Sequence, residues 1–184
     1  MHRLGTGTFS SAFTELGIDT FEEACEWVKK LTYKRNSVNS NPLKVVDEKC
    51  GTCSSKHELI KRLADENGIH DCKLVLCIFN MNGINTPKIK SLLEEHHLHY
   101  LPEAHTYVVI NNEIQDFTFA VHSELLFLKD VVLTEEISPH QISTYKTKFH
   151  KSYINQWIEN EKMEVSFEEI WKVREACIEA LSNT

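Results

Sequence analysis

Apolar positions recur at helical spacing in some stretches of the chain and at strand spacing in others. Ala24, Trp27, Val28 and Leu31 make one helical stripe, and Thr20-Phe21-Glu22-Glu23 ahead of it has the order of a capping box. A second stripe, Leu59, Ile60, Leu63 and Ala64, is closed by Asn67-Gly68, which predicts a helix over about 53–66. Cys72-Lys73-Leu74-Val75-Leu76-Cys77-Ile78-Phe79 is nearly continuous in apolar residues and suits a buried strand. Thr86-Pro87 supplies an N-cap and a proline at the first helical position, with Ile89, Leu92 and Leu93 as the apolar face of a helix ending near His96. Thr106 to Ile110, the turn Asn111-Asn112, and Ile114 to Phe119 read as a β-hairpin. In the last third, Ser138-Pro139-His140-Gln141 and Ser166-Phe167-Glu168-Glu169 each open a helix.

Residues 1–19 show no clear periodicity and read as an irregular lead-in, and Asn36 to Pro42 is turn chemistry throughout. There is no internal repeat. These elements predict one α+β domain over 1–184, with helical segments in its C-terminal part, 138–182. The sheet is expected to be mainly antiparallel, built from about 72–80, 104–110 and 114–119. Tyr107 and Val109 alternate with Val108 and Ile110, so apolar residues fall on both faces and both should be covered.

Composition narrows the partners. The 184 residues carry 20 Lys+Arg against 27 Asp+Glu, a formal charge of -7, and no basic run offsets that field at a phosphate backbone, so nucleic acid is not expected. No apolar run has the length of a membrane span, and the N-terminus has no apolar signal core, so a cytoplasmic chain without membrane contact is expected. Six cysteines, mostly in segments that read as helix or buried strand, do not suggest a disulfide framework.

The most informative segment is Cys50-Gly51-Thr52-Cys53-Ser54-Ser55-Lys56-His57, where a glycine-containing loop turns into a predicted helix. Unpaired N–H groups and the positive end of the helix dipole favour a thiolate there, and Cys53 meets that condition best. The same N–H groups could donate to the oxyanion formed when a thiolate attacks a carbonyl. A base is needed, and among ten histidines His105 stands out by opening a strand whose hairpin partner carries Asp116. If the hairpin turns at Asn111-Asn112, positions 105 and 116 lie nearly opposite, close enough for a carboxylate to orient an imidazole.

Gly51-Thr52-Cys53, then Leu59, Ile60, Leu63 and Asn67-Gly68-Ile69, resembles the nucleophile helix of the transglutaminase-like superfamily. His105-Thr106-Tyr107-Val108 and Asp116-Phe117-Thr118 resemble its His-x-x-Val and Asp-x-Thr strands, in the same chain order. Thr106 stands where that family usually has an aromatic residue and Phe117 where it has proline. The resemblance covers about residues 45–120. It implies a papain-like α+β fold with the nucleophile helix packed on the sheet, and Cys53 as nucleophile, His105 as general base and Asp116 as its orienting group. The implied chemistry is that of a peptidase, amidase or transglutaminase acting on a peptide, protein or small amide through a thioester, with no metal or organic cofactor. Thr52, Ser54, Cys50 and His57 are candidates to line the site. His57, four residues after Cys53, could also hydrogen-bond the thiol in place of His105 or pack against the sheet. Asn36, Asn39 and Asn41 lie nearby in sequence, but no side-chain oxyanion donor is assigned.

Rival readings remain. Cys50-x-x-Cys53 also suits a thiol-disulfide oxidoreductase, against which stands the short, mostly charged Val45-Val46-Asp47-Glu48-Lys49 where a buried strand is needed. Cys50, Cys53 and His57 could ligate a metal, although a fourth ligand is lacking. A binding module that keeps the scaffold without catalysis is the alternative of a different class.

Overall fold

The computed structural model describes residues 1–38, 40–120 and 125–182, so Asn39 lies outside the described residues. The architecture is α+β with an antiparallel four-stranded sheet. In chain order the helices are α1 (Thr8–Thr14), α2 (Phe21–Lys30), α3 (Lys44–Glu48), α4 (Cys53–Glu66), α5 (Lys90–Glu95), α6 (Thr144–Asn160) and α7 (Phe167–Ser182). The strands are β1 (Thr32–Tyr33), β2 (Cys50–Gly51), β3 (Cys72–Met81), β4 (Leu101–Ile110), β5 (Glu113–Gln115) and β6 (Val131–Ile137). The four-stranded sheet has the order β5-β4-β3-β6, and β1 and β2 form a small parallel pair with Thr32 opposite Cys50.

Two compact units divide the described residues. The first holds 1–76, 106–120 and 135–143, and the second holds 77–105, 125–134 and 144–182.

In the first unit α4 is the central helix, touching α1, α2, α3 and β2. Its Leu59, Ile60 and Leu63 are fully buried, as the periodicity predicts, and each contributes about 1.5–3 kcal/mol of apolar burial. Thr20 caps α2 in a capping box with Glu23, as predicted, and Thr52 caps α4 with Ser55. The hairpin turns at Asn111 and Asn112, whose φ values of 52° and 65° are the left-handed pair that a tight two-residue turn requires. Val108 pairs with Gln115 and Ile110 with Glu113. Continuing this register sets Asp116 opposite Tyr107 rather than His105, a two-residue offset from the expected pairing. β5 also ends at Gln115, short of the expected Phe119, because side chains take the next amides. The Phe117 N–H donates to His57 Nε2 at 2.8 Å and the Thr118 N–H to Asp116 Oδ1 at 2.8 Å.

The lead-in contains a helix that periodicity does not show. α1 is capped from α4, the Glu66 carboxylate accepting from the Phe9 N–H at 3.0 Å and the Ser10 N–H at 2.7 Å. Gly7 makes room for it, since a Cβ there would lie 2.1 Å from the Glu66 carboxyl carbon.

In the second unit α7 anchors to β4 through Arg174, which donates from Nε to Glu103 Oε2 at 2.8 Å and from its terminal nitrogen to Oε1 at 2.5 Å. Burial raises the Glu103 pKa, but Arg174 and then His150 outweigh it and hold the carboxyl at about 2. Ser138 forms its capping box with Gln141, but on a short 3₁₀ turn, Pro139–Gln141, and α6 starts only at Thr144.

Candidate active site

Cys53 is the first residue of the 14-residue helix α4, and β2 leads into it through Thr52. The Thr52 N–H donates to Ser55 Oγ at 3.0 Å, and the Ser55 N–H returns a long bond to Thr52 Oγ1 at 3.5 Å. This box pins the loop and holds the Cys53 backbone in the first turn, where N–H groups have no carbonyl partner within the helix. Gly51 is required by close approach, because a Cβ would meet Lys56 Cγ and Ser55 Oγ at 2.9 Å each. Ser54 Oγ lies 4.0 Å from Cys53 Sγ, and Cys53 is 7% exposed.

His57 is fully buried. Its Nδ1 lies 2.8 Å from the Cys53 carbonyl oxygen, which can only accept, and its Nε2 receives the Phe117 N–H. The two partners fix the neutral tautomer with the proton on Nδ1. His57 therefore braces the first turn of α4 against the segment after β5, and neither nitrogen remains to serve as a base or a metal ligand. Asp116 Oδ1 lies 3.5 Å from His57 Nε2 and also accepts from the Thr118 hydroxyl. With Nε2 unprotonated, that proximity is packing rather than an ion pair.

Lys56, which no motif singles out, is wholly buried beneath this loop. Its Nζ donates to the Leu31 carbonyl at 2.7 Å and the Thr118 carbonyl at 2.8 Å. A sequence signal for it exists, since position 56 falls on the same stripe as Leu59, Ile60 and Leu63, where a lysine must be buried.

Cys50 is buried, and Asn36 Nδ2 donates to its carbonyl at 2.9 Å, stitching the loop before α3 onto β2. Burial, followed by the Glu48 carboxylate, pushes the Cys50 thiol up, with Lys34 and Lys56 opposing, which disfavours its thiolate. A cleft of about 630 Å³ opens beside Cys50, with Lys34, Arg35 and Lys49 among its lining. Glu48, also on that cleft, is engaged by the Ser37 N–H at 3.1 Å.

The first unit thus brings together Cys50, Thr52, Cys53, Ser54, His57 and Asp116. His105 belongs to the second unit, on β4, with the rings of Phe127 and Phe79 at centroid distances of 4.9 and 6.0 Å. Cys50 and Cys53 are not joined in a disulfide, and the main sheet is antiparallel, unlike the parallel sheet with a bonded pair expected of the redox reading. Among the described residues no three His, Cys, Asp or Glu side chains converge as metal ligands, and no helix is long and apolar enough to cross a membrane.

No family model matches the chain, and neither a curated protein nor a solved structure does.

Proposed function

We propose that the protein is a cysteine-dependent amide hydrolase or acyltransferase of transglutaminase-like, papain-like design, with Cys53 as nucleophile, His105 as general base and Asp116 as its orienting carboxylate. The observation that carries this reading is Cys53 at the first position of α4, held by the Thr52–Ser55 capping box with a buried lysine one turn on. The helix N-terminus favours the thiolate and offers N–H donors to an oxyanion. Asp116 supports it too, because the Thr118 N–H and hydroxyl clamp its Oδ1 and so hold the carboxylate in one orientation.

In the reaction, the Cys53 sulfur bonds to the substrate carbonyl carbon as the thiol proton passes to the His105 imidazole. The tetrahedral intermediate then expels the amine, which takes that proton, leaving a thioester on Cys53. Water resolves the thioester to an acid, or an amine resolves it to a new amide. The basic rim of the cleft beside Cys50 suits an acyl donor carrying a carboxylate.

Intact-mass measurement after mixing with a panel of peptide and amide electrophiles tests the reading. A single adduct is expected on the native protein, absent from Cys53→Ala, with carboxylate-bearing probes reacting faster than neutral ones at low salt. No adduct on the native protein, or equal modification of the variant, would replace the enzyme by a binding module on the same scaffold.

A further inference from the structure

Lys56 is the one lysine of α4 on its apolar face, and burying its ammonium is costly unless something at the site requires the charge. Its two hydrogen bonds go to carbonyls on different segments: Leu31, at the end of α2, and Thr118, two residues after Asp116. A neutral apolar side chain would fill the same space without desolvating a cation, so packing alone does not account for a lysine here. The Gly51 backbone approaches its stem so closely that any side chain at 51 would displace it. The loop that carries Cys53 is thus shaped around this side chain.

We infer that Lys56 is the buried counter-ion of the site, tying the nucleophile helix to the Asp116–Thr118 segment and favouring the anionic forms of Cys53 and Asp116. This deepens the proposed function and rests on it for the word nucleophile, though not for the electrostatics. The acidic groups that act on the ammonium are Asp116 after β5, Cys53 on its own helix and Cys50 on β2. Burial is the largest influence and lowers the Lys56 pKa, while Asp116, Cys53 and Cys50, in that order, raise it, leaving it at about 8. The cation is therefore largely present at neutral pH and lost as pH rises through 8. Lys34 and Glu48 act on Cys50 from the cleft side, with opposite signs. His57, next along the helix, has both ring nitrogens engaged by backbone groups, the Cys53 carbonyl and the Phe117 N–H. Lys56 is a positioning residue, because its amine is committed to two carbonyls rather than to a reacting atom.

The test titrates the Cys53 thiol, by the pH dependence of iodoacetamide alkylation located by peptide mass and by the ¹³Cβ chemical shift of Cys53, in wild type and Lys56→Met. The inference predicts a thiol pKa higher by about one in the variant and, with it, alkylation about tenfold slower at pH 7, with equal rates at high pH. A purely structural lysine would change labelling at every pH and leave the inflection in place, which would overturn the inference. Should Lys56→Met not fold, the reciprocal measurement replaces it: the Lys56 pKa by NMR in wild type, Cys53→Ser and Asp116→Asn. The pKa is expected to fall by about 0.5 or more in each variant, and an unchanged value in both would contradict the inference. An activated Cys53 that forms no acyl adduct would remove the proposed function and leave this inference intact.

Discussion

His57 shows how a residue that looks catalytic by spacing can be consumed by structure. Four residues after a candidate nucleophile, it sits one turn on along the helix, yet the backbone claims both nitrogens, the Cys53 carbonyl on one side and the Phe117 amide on the other. Replacing it with phenylalanine keeps the ring, leaves the Cys53 carbonyl its bond within the helix and strands the buried Phe117 N–H, at a cost of about 1–3 kcal/mol. Urea denaturation of His57→Phe should show a loss of about 1–3 kcal/mol. A loss below about 1 kcal/mol would mean that the brace does not hold the helix start. Lys56 is the converse case. A lysine among Ser55 and His57 reads as a solvent-facing residue, and only its phase against Leu59, Ile60 and Leu63 shows that it must turn inward.

Among the elements, those with local signals are legible in the sequence and those fixed from a distance are not. α4 has the predicted bounds because its cap, stripe and C-terminal Asn67-Gly68 are all contiguous in sequence. α1 escapes a sequence reading because its cap comes from Glu66, 56 residues from Ser10. α3 is only five residues long and ends on a left-handed Lys49, and no periodicity can be read over that length. β6 escapes it too, although its β-branched residues suit a strand. It lies at the sheet edge with much of its surface exposed, so its pattern lacks the apolar alternation of a covered strand. The Glu66 cap carries a pH prediction. Burial raises the Glu66 pKa, but hydrogen bonds from Ser10, Phe9 and Thr8 outweigh it and leave the pKa below the usual carboxylate value. A lowered folded pKa means stability present above about 4.5 and lost as pH falls through the folded value. Glu66→Gln should therefore flatten the acid limb of a pH–stability curve, and an unchanged limb would show that the cap contributes no linkage.

At the scale of the molecule, the buried thiols act against stability at alkaline pH. Burial is the leading cause that pushes Cys25 up, Cys72 to about 12 and Cys177 to about 11. Folded values above the unfolded one of about 9 mean stability intact below pH 9 and falling as pH rises toward 11–12. Thermal or urea unfolding at pH 7 and pH 10 should differ in that direction, and Cys72→Ala should reduce the difference.

The proposed cooperation of Cys53, His105 and Asp116 is tested most directly by the pre-steady-state acylation burst with an activated acyl ester. Wild type is predicted to release one equivalent of leaving group per protein at pH 7 and Cys53→Ala none, with the burst rate lowered about 10²–10⁴-fold in His105→Ala and by less in Asp116→Asn. A burst that survives Cys53→Ala, or one whose rate is the same in His105→Ala as in wild type, would contradict the account.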